Sequence, residues 1–206
     1  MNNRTVRSRL TFYRLMRWVA AVFVAPFFGV TVDGAEFIPG DRRFILMSNH
    51  INSWDPIMLA VAVKRWELSF MAKESLFRFP PLAWALKRLN VIKVMRSGTN
   101  LSAMREALAR LREGRCVGIF PEGHRYQSGG VHPFETGVAM LALNTDAPVL
   151  PAYVSGEYGF RKGVHIRFGP LIQLDDLRKL PKDSDTITWL QHRLTRRLVN
   201  LSKNTP

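Results

Sequence analysis

The 206 residues include a single cysteine, Cys116, which excludes an internal disulfide framework and any cysteine-based structural zinc site. Cys116 lies in an apolar run, where a thiol is a buried, inert side chain. No G-x-S-x-G turn and no Walker phosphate loop occur, so neither a serine-hydrolase elbow nor nucleotide hydrolysis is expected. Internal repeats, low-complexity tracts and long linkers are also missing. No acidic residue precedes Asp33. The longest apolar stretch near the N-terminus, Trp18 to Val32, is broken by Pro26 and Gly29 and falls short of the ~20 residues a helix needs to cross a bilayer.

What is present is ordinary globular composition, 47% hydrophobic and 22% charged, at a length suited to one domain. Thirty Lys and Arg against sixteen Asp and Glu give a net charge of +14. Such a chain expects anionic company: nucleic acid, an acidic membrane or phosphorylated substrates. A nucleic-acid-binding protein would share the charge. However, no zinc-finger spacing, RNP-like segment or bZIP basic region appears, and the charge is heaviest beside aromatic sequence. That class is the alternative, and nucleic acid is not an expected partner.

The N-terminus carries Arg4, Arg7, Arg9, Arg14 and Arg17, followed by Trp18, Phe23, Phe27 and Phe28. A signal peptide has the same basic-then-apolar order, but the context after the apolar run is poor for cleavage. A basic arm leading into a buried helix is the plain structural alternative. Residues 1–32 are read as a basic amphipathic docking segment, with Arg7, Arg14, Arg17, Trp18, Phe23, Phe27 and Phe28 meeting an anionic membrane surface. The expected location is then peripheral or monotopic, on the cytoplasmic face of the cell membrane.

From residue 33 to 206, apolar runs alternate with helical patterns. Strands are predicted at Phe44–Met47, Leu68–Ala72, Val91–Val94, Cys116–Phe120, Val149–Val154 and Val164–Phe168. Helices are predicted from Pro56 to Val63, Pro81 to Leu89, Leu101 to Leu111 and Thr136 to Asn144, with a last one from Ser184. The expected fold is a single α/β domain: a mostly parallel or mixed sheet flanked by helices, plus the N-terminal interfacial helical segment. Chemistry then belongs at the carboxyl ends of the strands.

Two motifs fall there. Ser48-Asn49-His50-Ile51-Asn52-Ser53-Trp54-Asp55-Pro56 links a strand to a helix. Pro56 places Asp55 at or near the helix start, from where its carboxylate can hold one nitrogen of the His50 ring and leave the other as a base. Asp before Pro is also a common helix cap, and a loop histidine is often plain polar surface. His124, His132 and His165 show no ligand spacing with either residue, so neither a metal nor a cofactor is expected. The second motif, Phe120-Pro121-Glu122-Gly123-His124-Arg125, is a tight turn in which Gly123 permits positive φ. Its backbone N–H groups and Arg125 suit a phosphate or an oxyanion, although alone it is a generic turn after a strand.

Together the two motifs resemble those of the glycerolipid acyltransferase family, and within it most closely the bacterial lysophosphatidic acid acyltransferases. Met71-Ala72-Lys73-Glu74, Val91 to Arg96 and Val149-Leu150-Pro151-Ala152 are similar to further family segments. His124 stands where the family usually has Thr or Ser, and Met95 where an acidic residue often precedes the arginine. The resemblance implies that residues 33–206 form an acyltransferase domain that moves a fatty acyl group from acyl-CoA or acyl-acyl-carrier-protein to the free hydroxyl of a lysophospholipid, 1-acylglycerol 3-phosphate. The product would be phosphatidic acid. His50 and Asp55 would act as general base and orienting carboxylate, without an acyl-enzyme. Gly123 and Lys73 would serve the oxyanion, and Lys73, Arg96, Glu122, Gly123 and Arg125 the substrate. The same family chemistry with glycerol 3-phosphate, a lipid-A intermediate or an aminolipid as acceptor is the alternative.

Overall fold

In the computed structural model, residues 3–95, 101–126 and 130–203 are described, the side chains of residues 3–9 and 178 excepted. Helix α1 (Asn3–Val19) continues through a π-helical turn (Ala20–Val24) into the short helix α2 (Ala25–Phe28). The arginines that interrupt the apolar run do not interrupt the helix. Leu10–Phe28 is therefore 19 residues long with a mean hydropathy of 1.2, long and apolar enough to cross a membrane by length and composition, with 17% of that window buried.

One face of this helix is docked on the rest of the molecule. Tyr13, Ala20 and Phe28 are buried. The Tyr13 hydroxyl accepts the Leu68 N–H at 3.0 Å, and the Arg17 guanidinium donates to the Trp66 carbonyl at 3.1 Å. Phe12 meets Trp84 edge-on, with ring centroids 5.2 Å apart. Two residues expected at the membrane lie on the docked face. Phe28 is a core side chain and Arg17 is bonded to the domain, because both fall on the helical stripe that includes Tyr13, Ala20 and Val24. Leu15, Trp18, Val22, Phe23 and Phe27 lie exposed, as does most of the Arg14 side chain.

Gly29, at φ 65°, ends the helix in the left-handed conformation that favours glycine. The chain then enters β1 (Val30–Asp33), which pairs in parallel with β7 (Val164–Phe168). The sheet thus takes in residues that the sequence reading placed in the docking segment. A four-residue edge strand declares itself only through its partner.

The remaining strands are β2 (Ile45–Ser48), β3 (Leu68–Lys73), β4 (Ile92–Val94), β5 (Cys116–Ile119) and β6 (Val149–Gly156). Seven strands form one mixed sheet, in the order β1-β7-β6-β2-β5-β3-β4, with β6 and β7 its antiparallel pair. The helices α3 (Asp55–Ala62), α4 (Pro80–Arg88), α5 (Leu101–Arg112), α6 (Gly137–Leu143) and α7 (Ser184–Lys203) flank it. Each central strand is apolar on both sides and divides its residues by the two-residue pleat. Ile45, Met47, Val117 and Val149 pack against α5, α6 and α7. Leu46, Cys116, Leu150 and Val154 pack with Met58 and Leu59 of α3 and with Phe28.

Because β2, β3, β5 and β6 run in one direction, their carboxyl ends share one edge of the sheet. The turns after β2 and β5 are neighbours there, which brings the two sequence motifs together.

Candidate active site

β2 is prolonged past its last residue by a side chain. The amide of the fully buried Asn49 donates to the Val154 carbonyl at 2.8 Å and accepts the Val154 N–H at 2.7 Å, in the manner of a strand partner. The next residue, His50, is thereby held at the sheet edge. The loop then folds back until Asp55, the first residue of α3, faces it. His50 Nδ1 lies 2.7 Å from Asp55 Oδ2, and the same oxygen accepts the Ile51 and Asn52 N–H groups at 2.7 and 2.8 Å. Asp55 is completely buried. Its other oxygen, Oδ1, accepts the Tyr158 hydroxyl at 2.7 Å.

With Asp55 Oδ2 as its partner, Nδ1 is the ring's N–H donor. Nε2 is then an acceptor, and it carries no hydrogen bond among the described residues. The ring is also held by stacking. His50 lies on Phe120 at 4.0 Å and 16°, and Phe120 lies against Phe70 at 5.5 Å and 15°. Gly118 makes that stack possible, since a Cβ there would fall 2.3 Å from the Phe70 ring.

The second motif closes over the first. The buried Glu122 accepts the His50 N–H at 3.1 Å through one oxygen and the His132 N–H at 3.1 Å through the other. Burial pushes its carboxyl above the usual carboxylate range, while the two backbone donors pull the other way. Tyr126 N–H donates to the His50 carbonyl at 2.8 Å, so residues 122–126 run beside the histidine. Gly123 has φ 67°, and a Cβ there would meet the Glu135 carboxylate at 2.3 Å.

Of the backbone donors expected near Gly123, the Gly123 N–H itself donates to the Phe120 carbonyl at 3.1 Å, which closes the turn. His124 and Arg125 are exposed residues, and their N–H groups have no hydrogen-bond partner among the described residues. The Arg125 guanidinium reaches back to the Ser53 hydroxyl on the first motif's loop. Lys73 ends β3 on the same edge, exposed and without a hydrogen bond or ion pair among the described residues. The neighbouring Glu74 is held by Lys93 at 2.7 Å. Arg96 lies outside the described residues.

The sequence motifs assign no role to Asn49, Phe120 or Tyr158. Asn49 and Phe120 stand inside the two motifs, so an amide beside the histidine and an aromatic before the Pro-Glu-Gly turn were available signals. Tyr158 is 103 residues from Asp55 and had none.

A mixed α/β sheet carries at its strand ends a part-buried histidine on a buried carboxylate, beside a glycine turn and the exposed cations Lys73 and Arg125, so a base stands next to groups suited to an anion. The chain belongs to the acyltransferase family, whose model matches residues 29–155. It is 30% identical over 184 residues to the 1-acyl-sn-glycerol-3-phosphate acyltransferase of Borreliella burgdorferi, covering 84% of this chain and 71% of that protein. It is 29% identical over 178 residues to the enzyme of the same name from Bacillus subtilis, covering 84% and 88%. The crystal structure of the 1-acyl-sn-glycerophosphate (LPA) acyltransferase of Thermotoga maritima matches with a TM-score of 0.71 and 27% identity, over 99% of this chain and 84% of that one. The protein is thus an O-acyltransferase of the phospholipid-biosynthetic type.

Proposed function

We propose that this protein acylates the free hydroxyl of 1-acylglycerol 3-phosphate from a thioester donor, acyl-CoA or acyl-acyl-carrier-protein, to give phosphatidic acid. The observation that carries the reading is the 2.7 Å contact of His50 Nδ1 with the buried Asp55 carboxylate, which leaves Nε2 unengaged. Nε2 removes the acceptor's hydroxyl proton, and Asp55 stabilises the imidazolium that forms. The oxygen attacks the thioester carbonyl. The tetrahedral oxyanion is met by the free N–H groups of His124 and Arg125, with Lys73 adding charge. Collapse of the intermediate breaks the carbon–sulfur bond, and His50 returns its proton to the departing thiolate. Lys73, Arg96 and Arg125 receive the acceptor's phosphate.

The enzyme works as a monotopic protein on the cytoplasmic membrane face. Leu15, Trp18, Phe23 and Phe27 enter the headgroup boundary, and Arg14 meets anionic lipid. Contacts of Tyr13, Arg17 and Phe28 with the domain support a helix lying against it rather than leaving it to span.

The test is an acceptor panel with purified protein in detergent and acyl-CoA. Lysophosphatidate is the preferred acceptor over glycerol 3-phosphate and monoacylglycerol. Equal use of monoacylglycerol would remove the phosphate site, and no acyl transfer to any glycerolipid would remove the reading.

A further inference from the structure

We propose that Tyr158 is a positioning residue for the catalytic pair: its phenol holds Asp55 Oδ1 so that Oδ2 stays aimed at His50. This rests on the general-base reading above. The terminal torsion of an aspartate is broad and roughly two-fold, so packing alone does not fix which way the carboxylate plane faces. Oδ2 is anchored by three donors, from His50, Ile51 and Asn52. Oδ1 is buried, and its hydrogen-bond partner is the Tyr158 hydroxyl at 2.7 Å.

Tyr158 is itself held in place. It sits in the turn between β6 and β7, which is joined to the end of α2 by hydrogen bonds. Arg161 N–H donates to the Phe27 carbonyl at 2.7 Å and Gly163 N–H to that of Phe28 at 3.1 Å. Its ring meets Phe28 edge-on at 5.0 Å, and Phe28 in turn meets Trp54, beside Asp55, at 5.5 Å. Burial and the neighbouring carboxylate push the Tyr158 hydroxyl far above the usual tyrosine range, so it stays a neutral donor wherever the enzyme works.

Removing the phenol lets the carboxylate plane turn away from the ring, which weakens the contact that favours the imidazolium and lowers the proton affinity of His50. The other titratable groups nearby are Glu122, bound to the His50 backbone, His132, which shares Glu122, and Arg125, bonded to Ser53. α2 contributes only the apolar Phe28 at this point.

Tyr158→Phe keeps the ring and removes the hydrogen bond. In the full chain with lysophosphatidate and acyl-CoA, kcat falls about 10-fold, acceptor KM changes little, and the acid limb of kcat/KM moves down by about half to one pH unit. The same downward movement appears in the His50 titration followed by NMR of ring-labelled histidine, which needs no turnover. An acid limb and a His50 titration that stay at their wild-type positions overturn the proposal, whether kcat is kept or lost. His50→Ala and Asp55→Asn are measured alongside. If they remain active the general-base reading fails. If they are inactive while Tyr158→Phe behaves as wild type, only the positioning role fails.

Discussion

The backbone N–H of His50 donates to Oε2 of Glu122 across 72 residues of chain. The other Glu122 oxygen holds the His132 N–H, so one buried carboxylate ties the histidine loop, its own turn and the segment after it. A glutamate with both oxygens on backbone donors has an architectural task, and its place beside glycine follows: the turn must be tight enough to aim the carboxylate inward. The two motifs that stand far apart in sequence are one hydrogen-bonded unit.

The catalytic pair is tested by substitution. His50→Ala removes nearly all acyl transfer and Asp55→Asn most of it, with a loss of about 10²–10⁴-fold for the absent base. Circular dichroism checks that the fold is kept. A variant retaining more than roughly a tenth of wild-type turnover refutes the role assigned to its residue.

Acceptor binding is tested on the cations. Arg125→Ala, Lys73→Ala and Arg96→Ala each lower kcat/KM for lysophosphatidate by about 10–200-fold, since a charge-assisted contact contributes about 1.5–3 kcal/mol. Arg125→Lys restores part of this, because an ammonium does not reproduce the guanidinium fork. Unchanged kinetics for all three would move the phosphate elsewhere.

Membrane docking and helix docking separate by face. Trp18→Ser with Phe23→Ser weakens sedimentation with anionic vesicles and leaves the melting temperature unchanged, since both side chains are exposed. Tyr13→Phe does the reverse. It leaves the Leu68 N–H without its partner, in a buried place, and costs about 1–3 kcal/mol of stability in urea titrations. Vesicle binding that survives the double substitution would sink the interfacial assignment.

A pH-dependent contribution comes from the start of α7. The Asp183 carboxylate accepts the Thr186 N–H at 2.8 Å and caps the helix, and this bond holds its carboxyl below the usual aspartate range. A carboxyl whose pKa is lowered by folding stabilises the native state above the unfolded value. That contribution is lost as pH falls through the folded one. The melting temperature of Asp183→Ala therefore lies below wild type at neutral pH, and the gap closes below about pH 4. A gap independent of pH would assign the loss to packing alone.

Cys116 offers a simple chemical check. Burial pushes its thiol up to about 12, so the folded protein does not react with an aromatic disulfide reagent at pH 8, and the denatured chain does. Fast reaction of the native protein would place Cys116 in a more open site than the buried strand β5.

Much of the fold was legible because it rests on short-range physics. Continuous apolar runs mark β2, β5 and β6 as strands covered on both faces, and the leucines of α7 mark one helical side, with Leu190, Leu194 and Leu198 buried. Pro56 after Asp55 sets a helix start, and Pro121 with Gly123 sets a turn. The spacing of His50 and Asp55 permitted the contact observed.

Tertiary structure alone decided what depends on partners distant in the chain. β1 exists because β7 pairs with it, and Phe28 turned from a lipid-facing expectation into core because the helix presents it to the β6–β7 turn. Periodicity shows that a helix has two faces. Which face is docked is set by Leu68, Trp66 and Trp84, which no local pattern names. Likewise, sequence placed a base beside a carboxylate, but the Tyr158 hydroxyl on that carboxylate comes from far along the chain, and the histidine stacks on Phe120, which is backed by Phe70 in the space left by Gly118. Hydrogen bonds and ring contacts of this kind have no period in the sequence, so only the folded chain reveals them.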